Sequence, residues 1–175
     1  MANKSLKQLT EDFRQAKANM ERDVIGKLPR IIGTTAVLVV KDNFRLEGYD
    51  DGFSLTKWEK RKEATNKRYT SRRGVKGTVY NAANKILQQA GNLLAAVNYQ
   101  EVGSGVKVGV DLGAVPYGKI HNEGLKGRAW GKHVFTMAKR QYMPLDSEGP
   151  NKKMNDAFFK KIGIEINKAM KIFKK

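Results

Sequence analysis

The sequence has no cysteine and two histidines among its 175 residues. Disulfides and thiolate metal sites are therefore excluded, and a small secreted fold stapled by disulfides is disfavoured. Long apolar runs are missing too. The longest, Ala36 to Val40, falls far short of a membrane span, and MANKSLKQLTEDFRQ has no apolar signal-peptide core, so a chain that is cytoplasmic when made is expected. There is no HExxH, no Walker loop, no GxGxxG, and no nucleophile elbow around any serine. A metal-dependent nuclease built on His121-Asn122-Glu123 would need imidazole and carboxylate groups converging on one ion, with one group left to activate water. His133, Asp111 and Glu123 are too few partners for that, so no enzyme, cofactor or metal is expected. Acidic charge is also scarce: 17 Asp and Glu stand against 34 Lys and Arg, giving a net charge of +17 and a pI near 10.1. Such a field attracts polyanions, whether nucleic acid or an acidic protein face.

What is present reads as an α+β chain forming a single domain over 1–175. The expected order is a helical region over 4–46, a basic loop or arm over 53–78, a small antiparallel sheet over 84–145, and a helix over 151–173. Leu6, Leu9, Phe13, Met20, Val24 and Leu28 recur at helical spacing, with Ala16 between Phe13 and Met20. This stripe suits packing on the chain's own core or on a neighbouring subunit. Pro29 fits the first turn of a second helix. IIGTTAVLVV is β-branched enough for a strand, but Ile32, Ala36, Val40 and Phe44 step by four, which favours a helix ending before Gly48 and the Asp50-Asp51-Gly52 turn.

Between 57 and 76 there are nine basic and two acidic residues and almost no aliphatics. Lys57, Lys60, Arg61, Lys62, Lys67, Arg68, Arg72 and Arg73 are candidate contacts to DNA or to an acidic partner, with Trp58 and Tyr69 as stacking groups. Residues 99–102 and 106–110 flank Gly103-Ser104-Gly105 as a hairpin, with valines alternating along the second arm. Met154, Phe158, Ile162, Ile166, Met170 and Phe173 make the stripe of the last helix.

From 106 to 143 the pattern reads as strand, corner, loop and second strand. Tyr117 and His121 form the corner, Gly124 and Gly127 supply positive φ, and Arg140 ties the second strand down. Lys126, Arg128 and Lys132 lie in the intervening loop, read as a flexible basic surface facing a neighbouring subunit or DNA.

The order of these signals resembles the phage virion morphogenesis and tail-completion proteins, the group typified by the G protein of phage Mu. The resemblance rests on Phe44 closing a helical region, Trp58-Glu59-Lys60-Arg61-Lys62, Ile86-Leu87 with Gly91 and Leu93, the Tyr117-to-Gly124 corner, and Arg140-Gln141-Tyr142-Met143 before a final helix. It spans roughly residues 30–172. The chain departs from the pattern at Ala138, where a proline would stand, at Gly118 for alanine, and at Ala90 for threonine. The resemblance implies a non-enzymatic neck or tail-end component. It implies a homo-oligomeric ring, in such proteins often of six subunits, joining the tail tube to the connector or neck proteins. Its place would be the virion tail or neck, and the host cytoplasm during assembly. A sequence-independent nucleic-acid-binding protein is the alternative reading, and no membrane partner is expected.

Overall fold

The structure is a computed structural model that describes residues 5–60, 86–88, 91–129 and 133–171. The fold is α+β. Helix α1 (Leu6–Asp23) opens on Ser5, whose hydroxyl accepts from the Gln8 amide at 3.2 Å while the Gln8 side chain accepts from the Ser5 amide at 2.9 Å. A single 3-10 turn, Ile25–Lys27, joins it to α2 (Leu28–Leu46), with Pro29 in the first turn of α2 where its missing N–H costs nothing. The β-branched run is helical, as its i+4 spacing predicts. One face of α2 buries Ala36, Val39, Val40 and Phe44, and burying that stripe outweighs β propensity.

Among the described residues the strands form three separate two-stranded antiparallel hairpins rather than the one small sheet expected over 84–145. Strands β1 (Gly48–Asp50) and β2 (Leu55–Lys57) pair first, in a stretch expected to be helix end and basic arm. After the short helix α3 (Asn92–Ala96), β3 (Val97–Val102) pairs with β4 (Gly105–Val110) around the Gly103-Ser104 turn and lies on α2. Helix α4 (Gly118–Glu123) follows, then β5 (Lys126–Ala129) paired with β6 (His133–Thr136). Helix α5 (Lys152–Ala169) packs along α2 and the end of α1. Its predicted stripe is buried at Met154 and grades to half-exposed along the helix, while Phe173 lies outside the described residues. The segment 137–143, expected as a strand, belongs to no ladder.

One core gathers Val40, Phe44, Trp58, Ile86, Leu93, Val97, Val115, Tyr142 and Met154. Phe44 is its centre, with the Trp58 ring edge-on at 5.6 Å and the Tyr142 ring tilted at 5.0 Å.

The N-terminus of α5 is docked on the β1–β2 turn by polar contacts. Asn151 caps α5 by accepting from the Met154 amide at 2.9 Å, and its Nδ2 donates to the Asp50 carbonyl at 3.2 Å and the Tyr49 hydroxyl at 3.1 Å. The Lys153 amide donates to the Asp51 carbonyl at 3.1 Å, and its Nζ meets the Asp50 carboxylate at 2.9 Å. Gly52 makes the approach possible: its φ is +93°, and a Cβ there would stand 2.5 Å from the Lys153 nitrogen. Gly52→Ala is expected to cost at least about 2 kcal/mol, from backbone strain plus displacement of α5, read as a lowered denaturant midpoint.

The same junction gives a pH dependence. The Lys153 ammonium, helped by the Gly52 amide, holds the Asp50 carboxyl below its ordinary value. A depressed carboxylate contributes stability above its unfolded pKa, about 3.9, and loses it as pH falls through the folded value. Stability should therefore drop below about pH 4, and Asp50→Asn should show a smaller drop in parallel acid titrations.

Candidate functional site

Every residue quoted for the corner lies on or beside α4. Tyr117 precedes the helix and its ring meets that of His121 edge-on at 5.8 Å. Gly124 ends α4 at φ +71°, with its amide on the Ile120 carbonyl at 3.0 Å. A Cβ on Gly124 would lie 2.8 Å from the Lys139 Cβ, so the returning segment 137–143 runs directly against this turn. The corner is thus a helical turn, not the strand edge expected from the valine alternation. Its second predicted glycine plays another part: Gly127 lies within β5, and the Phe135 ring sits where its Cβ would be, at 2.5 Å.

The segment 137–143 runs along the core and buries Tyr142 in it, and other elements supply its hydrogen bonds. The His121 carbonyl accepts from the Arg140 amide at 2.8 Å. Asn122 Oδ1 accepts from the Tyr142 and Met143 amides at 2.9 and 3.1 Å. Trp58 Nε1–H donates to the Gln141 carbonyl at 2.6 Å, and Asn43 Nδ2 donates to the Tyr142 carbonyl at 3.0 Å. Side chains thus do for this backbone what a neighbouring strand would otherwise do. Arg140 is half-buried, and its guanidinium reaches the Glu59 carbonyl at 3.4 Å, tying the segment to the chain just after Trp58. Burial raises the Tyr142 hydroxyl well above the ordinary tyrosine range, and the Glu123 charge adds to this, so the hydroxyl stays neutral at the far end of the core.

Trp58 is therefore not a stacking group on a basic arm. It is 6% exposed and belongs to the core. Asn43 and Asn122 were not foreseen as structural ligands. Asn43 could have been noticed as a polar residue one position from Phe44 and three from Val40, on the face of α2 that the i+4 spacing buries.

The basic candidates divide. Lys57 is exposed on β2, but its Nζ donates to the Leu46 carbonyl at 2.6 Å and caps the C-terminus of α2. Lys60 is exposed just beyond Trp58. Lys126 and Arg128 alternate with Gly127 on β5 and are both exposed, so the hairpin brings them to one face. The stretch that carries them is a strand and not the flexible loop expected. Arg61, Lys62, Lys67, Arg68, Arg72, Arg73 and Lys132, with Tyr69, lie outside the described residues. Among the described residues, no group of three or more His, Asp or Glu side chains is placed to hold a metal ion, and no helix is long and apolar enough to cross a membrane. No family model matches the chain, and no curated protein or solved structure matches it.

Proposed function

We propose that this chain is a structural virion subunit of a tailed phage or prophage, a tail-completion or neck protein whose ring joins the tail tube to the head connector. The observation that carries the reading is where the motif residues meet. Phe44, Trp58, Ile86, Leu93 and Tyr142, quoted from five separate stretches for the resemblance, share one core, and the corner and Arg140 close around it. That arrangement accounts for the motif set as a fold signature rather than as an active centre. A net charge of +17 suits a ring that lines a DNA passage or docks on acidic neighbours, through contacts that do not depend on base sequence.

Electron microscopy of purified particles carrying a tagged copy tests the proposal. Density for the tag at the tail end or neck is expected. Particles that assemble normally without the protein, or that never contain it, would overturn it. The charge also favours the second reading, a sequence-independent nucleic-acid binder. That reading requires an affinity for duplex DNA that falls steeply with salt and drops when Lys60, Arg61, Arg72 and Arg73 are neutralised. No binding at low salt ends it.

A further inference from the structure

The β5–β6 hairpin stands off the body of the fold. Among the described elements, its two strands pack chiefly on each other. The Met137 amide donates to the Leu125 carbonyl at 3.1 Å and closes its root, and the ladder runs outward from Lys126 opposite Thr136 to Ala129 opposite His133. The Phe135 ring lies over Gly127 in the space a Cβ would take, so the ribbon fills one of its faces with its own side chain. The other face presents Lys126, Arg128, Val134 and Thr136, all exposed.

That face carries cations with nothing to neutralise them. From Gly124 to Leu145 the sequence holds five Lys and Arg and no Asp or Glu. The carboxylate just before this stretch, Glu123, is turned to Lys119 at 3.8 Å, and among the described residues no ion pair engages Lys126 or Arg128. The long helices differ. Arg14, Lys17 and Arg22 on α1 each meet a carboxylate, as do Lys152, Lys153 and Lys168 on α5. The ribbon keeps its two cations for an anion from outside.

Spacing and shape select that anion. Lys126 and Arg128 stand two residues apart on one strand, about 7 Å, close to the separation of neighbouring phosphates along a nucleic-acid strand. The Thr136 hydroxyl opposite Lys126 adds a donor, and the Arg128 guanidinium can fork onto two phosphate oxygens. A two-stranded ribbon is also narrow enough to follow the groove of a duplex. A face that docks on protein has an aromatic or apolar centre. Here Val134 is the one apolar side chain among the described residues of the face.

We propose that the cationic face of the β5–β6 ribbon is a duplex-DNA contact, on which Lys126, Arg128 and Thr136 hold backbone phosphates without reading bases. The inference rests on the nucleic-acid reading above, and adds to it a folded element beyond the 57–76 stretch.

Fluorescence anisotropy of the full chain with a short duplex of mixed sequence, over a range of salt, tests the ribbon. Lys126→Gln with Arg128→Gln should raise the dissociation constant about tenfold or more at low salt, and flatten the slope of log affinity against log salt by about two. Lys160→Gln with Lys161→Gln removes the same charge from exposed positions on α5 and should leave the slope nearly unchanged. All four side chains are exposed, so the far-ultraviolet circular dichroism of both variants should match the wild type. A wild type that binds no DNA at low salt overturns the nucleic-acid reading and the ribbon together. A wild type that binds, with equal slopes for the two variants, overturns the ribbon alone. Titration with polyglutamate supplies the remaining outcome: a ribbon variant that loses polyglutamate and keeps DNA makes this face an acidic-protein contact and overturns the proposal.

Discussion

Trp58→Ala should remove about 3–5 kcal/mol of stability, a large share of the roughly 5–15 kcal/mol that holds a domain of this size. Two losses combine. The indole stands edge-on to Phe44 at 5.6 Å within a core where Phe44 is fully buried, so truncation opens a cavity beside the most enclosed ring. Its Nε1–H also leaves the Gln141 carbonyl, 2.6 Å away, without that donor. Urea unfolding followed by circular dichroism measures the sum, and Trp58→Phe separates the parts. Phenylalanine keeps most of the apolar body but not the donor, so it should cost about 1–3 kcal/mol. A Trp58→Ala chain unfolding at the wild-type midpoint would place the indole in solvent and return it to a role in contact.

Asn122→Leu should be nearly as damaging, at about 2–5 kcal/mol, although it replaces a polar residue by an apolar one of similar size. Asn122 is 5% exposed, and its one carbonyl oxygen serves two amides, those of Tyr142 and Met143. Leucine fills the space and satisfies neither, leaving buried donors that cannot reach water. Hydrogen exchange gives the local readout: amides of 140–143 should lose protection more than those of α2. If exchange is unchanged while stability falls, Asn122 acts through packing alone and the ligation of the segment is misassigned. The neighbouring His121 provides the contrast. It lends the segment its backbone carbonyl, which any residue carries, so His121→Ala should forfeit the ring contact with Tyr117 and leave the Arg140 amide bonded.

The long helices α1, α2 and α5 were legible in the sequence because periodicity and punctuation agreed, whereas the short helix α4 was not. Pro29 marked the start of α2, and Phe44, four residues beyond Val40, showed that the β-branched run had a helical face to bury. The β3–β4 hairpin was legible from a glycine-flanked turn between alternating arms. Other features were hidden where a local pattern meant something different in three dimensions. Trp58 sits in a polar, basic stretch, and nothing nearby in sequence says that it is buried, because its partners are Phe44 and residue 141. Strand β1 is three residues long and follows the helix after one residue, so the Asp50-Asp51-Gly52 turn read as a helix end rather than the tip of a hairpin. The segment at Arg140 looked like a strand because it is extended and half apolar, but extended backbone needs partners and not necessarily another strand. Asparagine side chains supply them here. Of the candidate contacts, Lys126 and Arg128 share a face for a reason the sequence contained, the alternation around Gly127, while Lys57 is turned to the end of α2 by geometry that the sequence did not disclose.

The way residues 140–143 are held also governs when the chain can become native. Their donors and acceptors sit 99 residues back at Asn43, 83 back at Trp58 and 20 back at Asn122, so this piece of the core closes only after all the chain from α2 to Tyr142 has been made. Such closures have high contact order and pay their loop entropy before any contact rewards it. During synthesis, α2 would emerge early with Asn43 and Phe44 waiting on a partner near the other end of the chain. A fragment stopped before Arg140 should remain a loosely packed, aggregation-prone intermediate, and the full chain should refold late and cooperatively, its slowest step being the threading of one short, ladderless segment.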